Sequence, residues 1–107
     1  ANDPTLYEGT EMRQPPSYAF VKGGMINFTR YLAAYYGRHG IRANCISPGG
    51  YSNRQPEAFV KQYTKRVPIG RMLHKEDIKG SVVFLASDAS VYVNGINLLV
   101  DGGWTCI

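Results

Sequence analysis

Only two cysteines occur in the 107 residues, Cys45 and Cys106, and neither belongs to a CxxC pair. That excludes a disulfide-stapled scaffold and makes a reduced, cytoplasmic setting the default expectation. Histidine is as sparse: His39 and His74 stand far apart and share no ligand spacing with the cysteines, so no metal is expected. No apolar run approaches the roughly 20 residues that span a bilayer, so no membrane partner is expected either. The polar opening, Ala1-Asn2-Asp3-Pro4, has neither the basic nor the apolar region of a secretory leader. It also lacks an initiator Met, which suggests a chain that starts mid-protein. Repeats, low-complexity tracts and linkers are missing too.

What is present is ordinary for a globular protein: 44% apolar and 19% charged residues. The length allows one small domain. The net charge is +4, and the excess gathers late in the chain. Arg54, Lys61, Lys65, Arg66, Arg71, Lys75 and Lys79 face only Glu57, Glu76 and Asp77. Without a recognised nucleic-acid motif this run reads as a solvated surface, and no nucleic-acid partner is expected.

Residues 1–16 carry Pro4, Gly9, Pro15 and Pro16 and read as an irregular segment. From Ser17 to about Arg38, Val21, Met25, Phe28, Leu32 and Tyr35 recur at helical steps, with Ser17 as a plausible N-cap. Gly23, Gly24, Ala33 and Ala34 leave room for a close neighbour. Ile41 to Ser47 reads as a short buried strand stopped by Pro48-Gly49-Gly50, with Cys45 as a small buried apolar residue. Pro56 to about Arg66 is a helix with Pro56 in its first turn and Phe59, Val60 and Tyr63 as its apolar stripe. Lys75 to Ala86 is a third helix with an acidic first turn, mouthed by His74. Ile96 to Val100 is a second buried strand, closed by Asp101-Gly102-Gly103. Two strands cannot alone make a covered sheet, so their apolar faces need neighbours beyond this sequence.

Tyr18 and Lys22 stand four residues apart at the head of the first helix, which places them on one face. An ammonium beside a phenol favours the phenolate, and such a tyrosine can exchange a proton with an alcohol or carbonyl oxygen. The pair alone is also what any surface helix could carry.

The context narrows this. Ser17-Tyr18-Ala19-Phe20-Val21-Lys22-Gly23-Gly24 opens a long amphipathic helix. Gly40-Ile41-Arg42-Ala43-Asn44-Cys45-Ile46-Ser47-Pro48-Gly49, Pro68-Ile69-Gly70-Arg71, Phe84-Leu85-Ala86-Ser87-Asp88 and Val100-Asp101-Gly102-Gly103 follow in order. The series resembles the C-terminal half of the short-chain dehydrogenase/reductase (SDR) family across roughly residues 15 to 105. The resemblance implies an α/β fold, the C-terminal part of a Rossmann-type doubly wound parallel sheet, with NAD or NADP at the carboxyl ends of its strands. It implies Tyr18 as the catalytic acid/base and Lys22 as the residue that lowers its pKa and binds the nicotinamide ribose. Pro48 and Gly49 would form the turn beside the nicotinamide. Tyr51 is a further candidate for cofactor or substrate contact, as are Ser52 and Asn53.

The family's glycine-rich phosphate loop is not in this sequence, because neither Gly23-Gly24 nor Gly102-Gly103 follows a strand and opens a helix. The usual catalytic-serine spacing lands on Thr5, in a stretch unlike a strand end, so the serine is expected upstream of Ala1. The organisation expected is therefore an incomplete domain: catalytic helix and strand over 17–50, a variable substrate loop over 51–74, and a C-terminal helix and strand over 75–107. The expected activity is NAD(P)-dependent hydride transfer on a small-molecule alcohol/carbonyl pair, with a sugar-like or otherwise polar substrate suggested by the basic loop. The 107 residues alone are expected to be inactive, and the intact protein to be a homo-oligomer, dimer or tetramer. The alternative is a noncatalytic SDR-like binding or assembly module.

Overall fold

The computed structural model describes residues 14–107. Helix α1 spans Pro16–Tyr36. It starts one residue before the sequence-based boundary because Pro15 takes an extended conformation and Pro16 fills the first helical turn, where a missing N–H costs nothing. The N-cap is thus Pro15, not Ser17, and the first turn closes through Tyr18 N–H donating to the Pro15 carbonyl at 2.9 Å. A short 3-10 turn, Gly37–His39, ends the helix at Gly40, which is left-handed at φ 74°.

Strand β1 is Cys45–Pro48 and strand β2 is Asn97–Val100. They pair in parallel, Cys45 opposite Asn97 and Pro48 opposite Val100. The first strand is shorter than the pattern 41–47 predicts. Residues 42–44 spend their hydrogen bonds on the loop before β2 instead. Arg42 donates to the carbonyls of Val93, Leu85 and Ser87 at 3.2, 3.0 and 3.4 Å. Ala43 N–H donates to Asn94 Oδ1, and the Asn44 amide spans Val93 O and Ile96 N–H. Asn94 Nδ2 also reaches the Ala33 carbonyl, pinning the end of α1 to the same loop.

Between the strands lie α2, Glu57–Arg66, and α3, Lys75–Ala86. Helix α3 touches both strands and α1 touches β1. Asp77 braces the head of α3, accepting from His74 N–H at 2.7 Å and from both Arg71 guanidinium nitrogens at 2.6 and 2.9 Å.

Among the described residues the buried apolar side chains are Ala33, Val67 and Met72. Cys45 is only partly buried, contrary to expectation, since the layers that would cover it are not among these residues. Phe20, Phe28 and Tyr35 of α1 lie 84%, 59% and 61% exposed, and among the described residues nothing would meet a Cβ at Gly23 or Gly24.

Candidate active site

The site lies where the first turn of α1 meets the carboxyl end of β1. Tyr18 is about half exposed there. Lys22, one turn on, holds its ammonium 5.9 Å from the centre of the Tyr18 ring. Its ammonium also makes a long 3.9 Å approach to Met25 Sδ. Among the described residues no carboxylate pairs with it; the ion pairs are Arg71–Asp77 and Lys79–Glu76.

Two clefts adjoin at Tyr18. One runs between α1 and β1 and is lined by Tyr18, Lys22, Gly23, Cys45, Ser47 and Pro48. The other opens toward α2 and the C-terminal turn and is lined by Tyr18, Pro48, Gly49, Phe59, Tyr63 and Trp104, among others. Tyr18, Ser47 and Pro48 belong to both. The structure thus brings together Tyr18, Lys22, Pro48 and Gly49. Tyr51 lines neither cleft; it bridges to Leu73 on the neighbouring segment. Ser52 N–H bonds the Leu73 carbonyl and Asn53 N–H bonds the Gln55 side chain. Thr5 lies outside the described residues.

The turn after β1 is built by close packing. A Cβ at Gly49 would stand 2.9 Å from Asp101 Cα, and one at Gly50 would stand 2.7 Å from the Tyr63 ring. The chain's own neighbours already require glycine at both positions. Gly49 N–H donates to Val100 O, and Gly50 N–H donates to the Tyr63 hydroxyl at 2.6 Å.

Sequence reasoning missed the wall of the second cleft. Phe59, Tyr63 and Trp104 form a stack, with Tyr63 and Trp104 rings 4.6 Å apart and nearly parallel at 6°. Asp101 was read only as a strand-closing residue. Its carboxylate accepts from Gly103 N–H, Thr105 N–H and the Thr105 hydroxyl, which fixes the turn carrying Trp104. The Thr105 hydroxyl is the first cause of the lowering of the Asp101 pKa. The available signal was the chain's sole tryptophan, placed directly after Gly102-Gly103.

A family model described as enoyl-(acyl carrier protein) reductase matches residues 6–105. The chain belongs to the short-chain dehydrogenase/reductase family. The SDR relatives include the 2-dehydro-3-deoxy-D-gluconate 5-dehydrogenase of Escherichia coli (strain K12), 40% identical over 83% of this chain and 38% of that protein. The L-rhamnose-1-dehydrogenase of Scheffersomyces stipitis is 42% identical over 80% of this chain and 36% of its own length. Among solved structures, a short-chain dehydrogenase from Leptospira borgpetersenii with bound NAD+ superposes with a TM-score of 0.86 at 46% identity. It covers 92% of this chain and 40% of the other. A Burkholderia cenocepacia gluconate 5-dehydrogenase in complex with NADP and tartrate gives 0.83 at 36% identity, covering 91% and 41%. The Rossmann-type α/β assignment holds, and this SDR chain spans about two fifths of the length of these relatives, a partial domain. No helix among its described residues is long and apolar enough to cross a membrane.

Proposed function

We propose that the full-length protein carrying this chain is an NAD(P)-dependent oxidoreductase acting on an alcohol/carbonyl pair, with Tyr18 as the proton-exchanging residue. The observation that carries this reading is the position of Tyr18 on the shared edge of two clefts. A group there can meet a cofactor on the Lys22 side and a substrate on the Trp104 side. The Lys22 ammonium, unpaired among the described residues and on the cleft wall, suits the hydroxyls of a ribose. Pro48 lies on the same edge, and Gly49 lines the second cleft beside it. Tyr51, outside both clefts, is left out of the proposed set.

A bound nicotinamide cofactor supplies or accepts the hydride. The chain's part is the proton. During alcohol oxidation the substrate hydroxyl proton passes to the Tyr18 oxygen, and during carbonyl reduction it returns from there. Lys22 fixes the ribose and keeps a positive charge beside Tyr18. Residues 1–107 alone hold no glycine-rich phosphate loop and are expected to turn over nothing. Gluconate-type and rhamnose dehydrogenases among the relatives support a sugar-like substrate.

Tyr18→Phe in the full-length protein tests the reading. Removing the acid/base should cut kcat by about 10²–10⁴-fold with the fold intact. Undiminished turnover would overturn the reading and favour a noncatalytic binding module.

The intact protein is further proposed to be a cytoplasmic homo-oligomer. Its support is the uncovered ladder of Phe28, Tyr31 and Tyr35 along α1, with successive centroids 6.3 and 5.7 Å apart. A monomer in sedimentation of the full-length protein would count against it.

A further inference from the structure

Trp104 reaches the second cleft from the far end of the chain. Its ring stacks on Tyr63 at 4.6 Å and 6°, and Tyr63 stacks on Phe59 at 5.8 Å and 28°. The Tyr63 hydroxyl is tied to Gly50 N–H, and the Trp104 turn is tied by Asp101. The plate is therefore fixed from both ends. Trp104 still leaves 37% of its surface exposed, and it lines the same cleft as Tyr18. Polar residues share that lining: Gln14, Tyr18, Ser47, Asp101 and Thr105.

A braced aromatic plate in a cleft that polar residues also line selects a molecule with two unlike sides. The π face carries negative charge and attracts polarised C–H groups, while polar lining residues can hydrogen-bond O–H groups. A polyhydroxylated carbon chain or ring presents both. We infer that Trp104, braced by Tyr63, is a substrate-contacting specificity residue whose ring takes the C–H face of a sugar-like substrate. The inference rests on the reading of Tyr18 above, since that fixes the second cleft as the substrate side.

The test uses the full-length protein and a panel of aldoses, aldonates and polyols that includes D-gluconate and L-rhamnose. Saturation-transfer NMR reports ligand C–H protons held against the protein and needs no turnover. Wild type should saturate the C–H protons of at least one panel member. Trp104→Leu keeps apolar volume but removes the π face. It should weaken that binding and raise KM about tenfold, with kcat changed far less. Trp104→Phe restores a ring that can stack on Tyr63 and should recover most of the affinity, which a merely structural role for side-chain bulk would not require. Absence of saturation transfer to every panel member overturns the inference. So does unchanged sugar affinity in a folded Trp104→Leu protein. Tyr18→Phe separates the two claims: it should cut turnover about 10²–10⁴-fold while leaving saturation transfer in place. Undiminished turnover in that variant overturns the catalytic reading, whereas the Trp104 comparison is decided by binding alone.

Discussion

The hydroxyl of Tyr63 accepts a 2.6 Å hydrogen bond from the backbone N–H of Gly50, clamping α2 to the turn that follows β1. That bond sets the height of the aromatic wall relative to the end of β1, on the cleft that Tyr18 also lines. Tyr63→Phe keeps the stack but orphans the Gly50 N–H, at an expected cost of about 1 kcal/mol. Gly50→Ala forces a methyl to within 2.7 Å of the Tyr63 ring. It should cost about 1–3 kcal/mol through overpacking. Urea unfolding of the full-length variants measures both, and Gly50→Ala should be the more damaging.

Lys22→Met keeps the stem of the side chain and deletes its charge and donors. It should weaken NAD(P) binding by about tenfold, the worth of one charge-assisted hydrogen bond. Calorimetric titration of the cofactor into the full-length variant checks this. Unaltered affinity would remove Lys22 from the proposed set.

Arg42 and Asn94 should matter more for stability than for chemistry. Arg42→Lys keeps the charge but cannot reach the carbonyls of Val93, Leu85 and Ser87 together. Asn94→Ala removes the acceptor of the Ala43 N–H and the donor to the Ala33 carbonyl, at an expected cost of about 1 kcal/mol. Thermal unfolding should show both losses, with the substrate and cofactor KM values little moved.

The Arg71–Asp77 pair predicts a pH dependence. Hydrogen bonds from Arg71, and then from His74 N–H, hold the Asp77 carboxyl far below the usual carboxylate range. Asp77 therefore binds its proton less readily in the folded state than in the unfolded one. Its stabilising effect is present above the ordinary Asp pKa of about 4 and is lost as pH falls below it. The side chains are 45% and 29% exposed, so the effect is modest and screened by salt. Tm measured from pH 5 to pH 2 should fall less steeply in Asp77→Asn than in wild type.

Local signals carried the helices well. Lys75–Ala86 follows from an acidic first turn and an apolar stripe, and Pro56 marks the head of α2. The Tyr18–Lys22 pair was visible because four-residue spacing is a local property of a helix. The N-cap sits two residues before Ser17 because Pro15-Pro16 sets the backbone more firmly than a serine hydroxyl does. The length of β1 was misread because Arg42 and Asn44 look like strand residues yet bind a loop some fifty positions later. The Tyr63–Trp104 stack joins residues from separate elements, and no periodicity announces such a pairing.

The parallel pairing of Cys45 with Asn97 bears on the order in which the molecule is assembled during synthesis. The two residues are 52 positions apart, so β1 leaves the ribosome long before its partner exists. Tyr18, Lys22 and Pro48 are then already made but have no β2 beside the strand that positions them. Closing so wide a loop must precede any reward from the contact, which makes this ladder a slow, late step. A chain stopped short of Val100 would carry every proposed proton-transfer residue without the strand partner of Pro48.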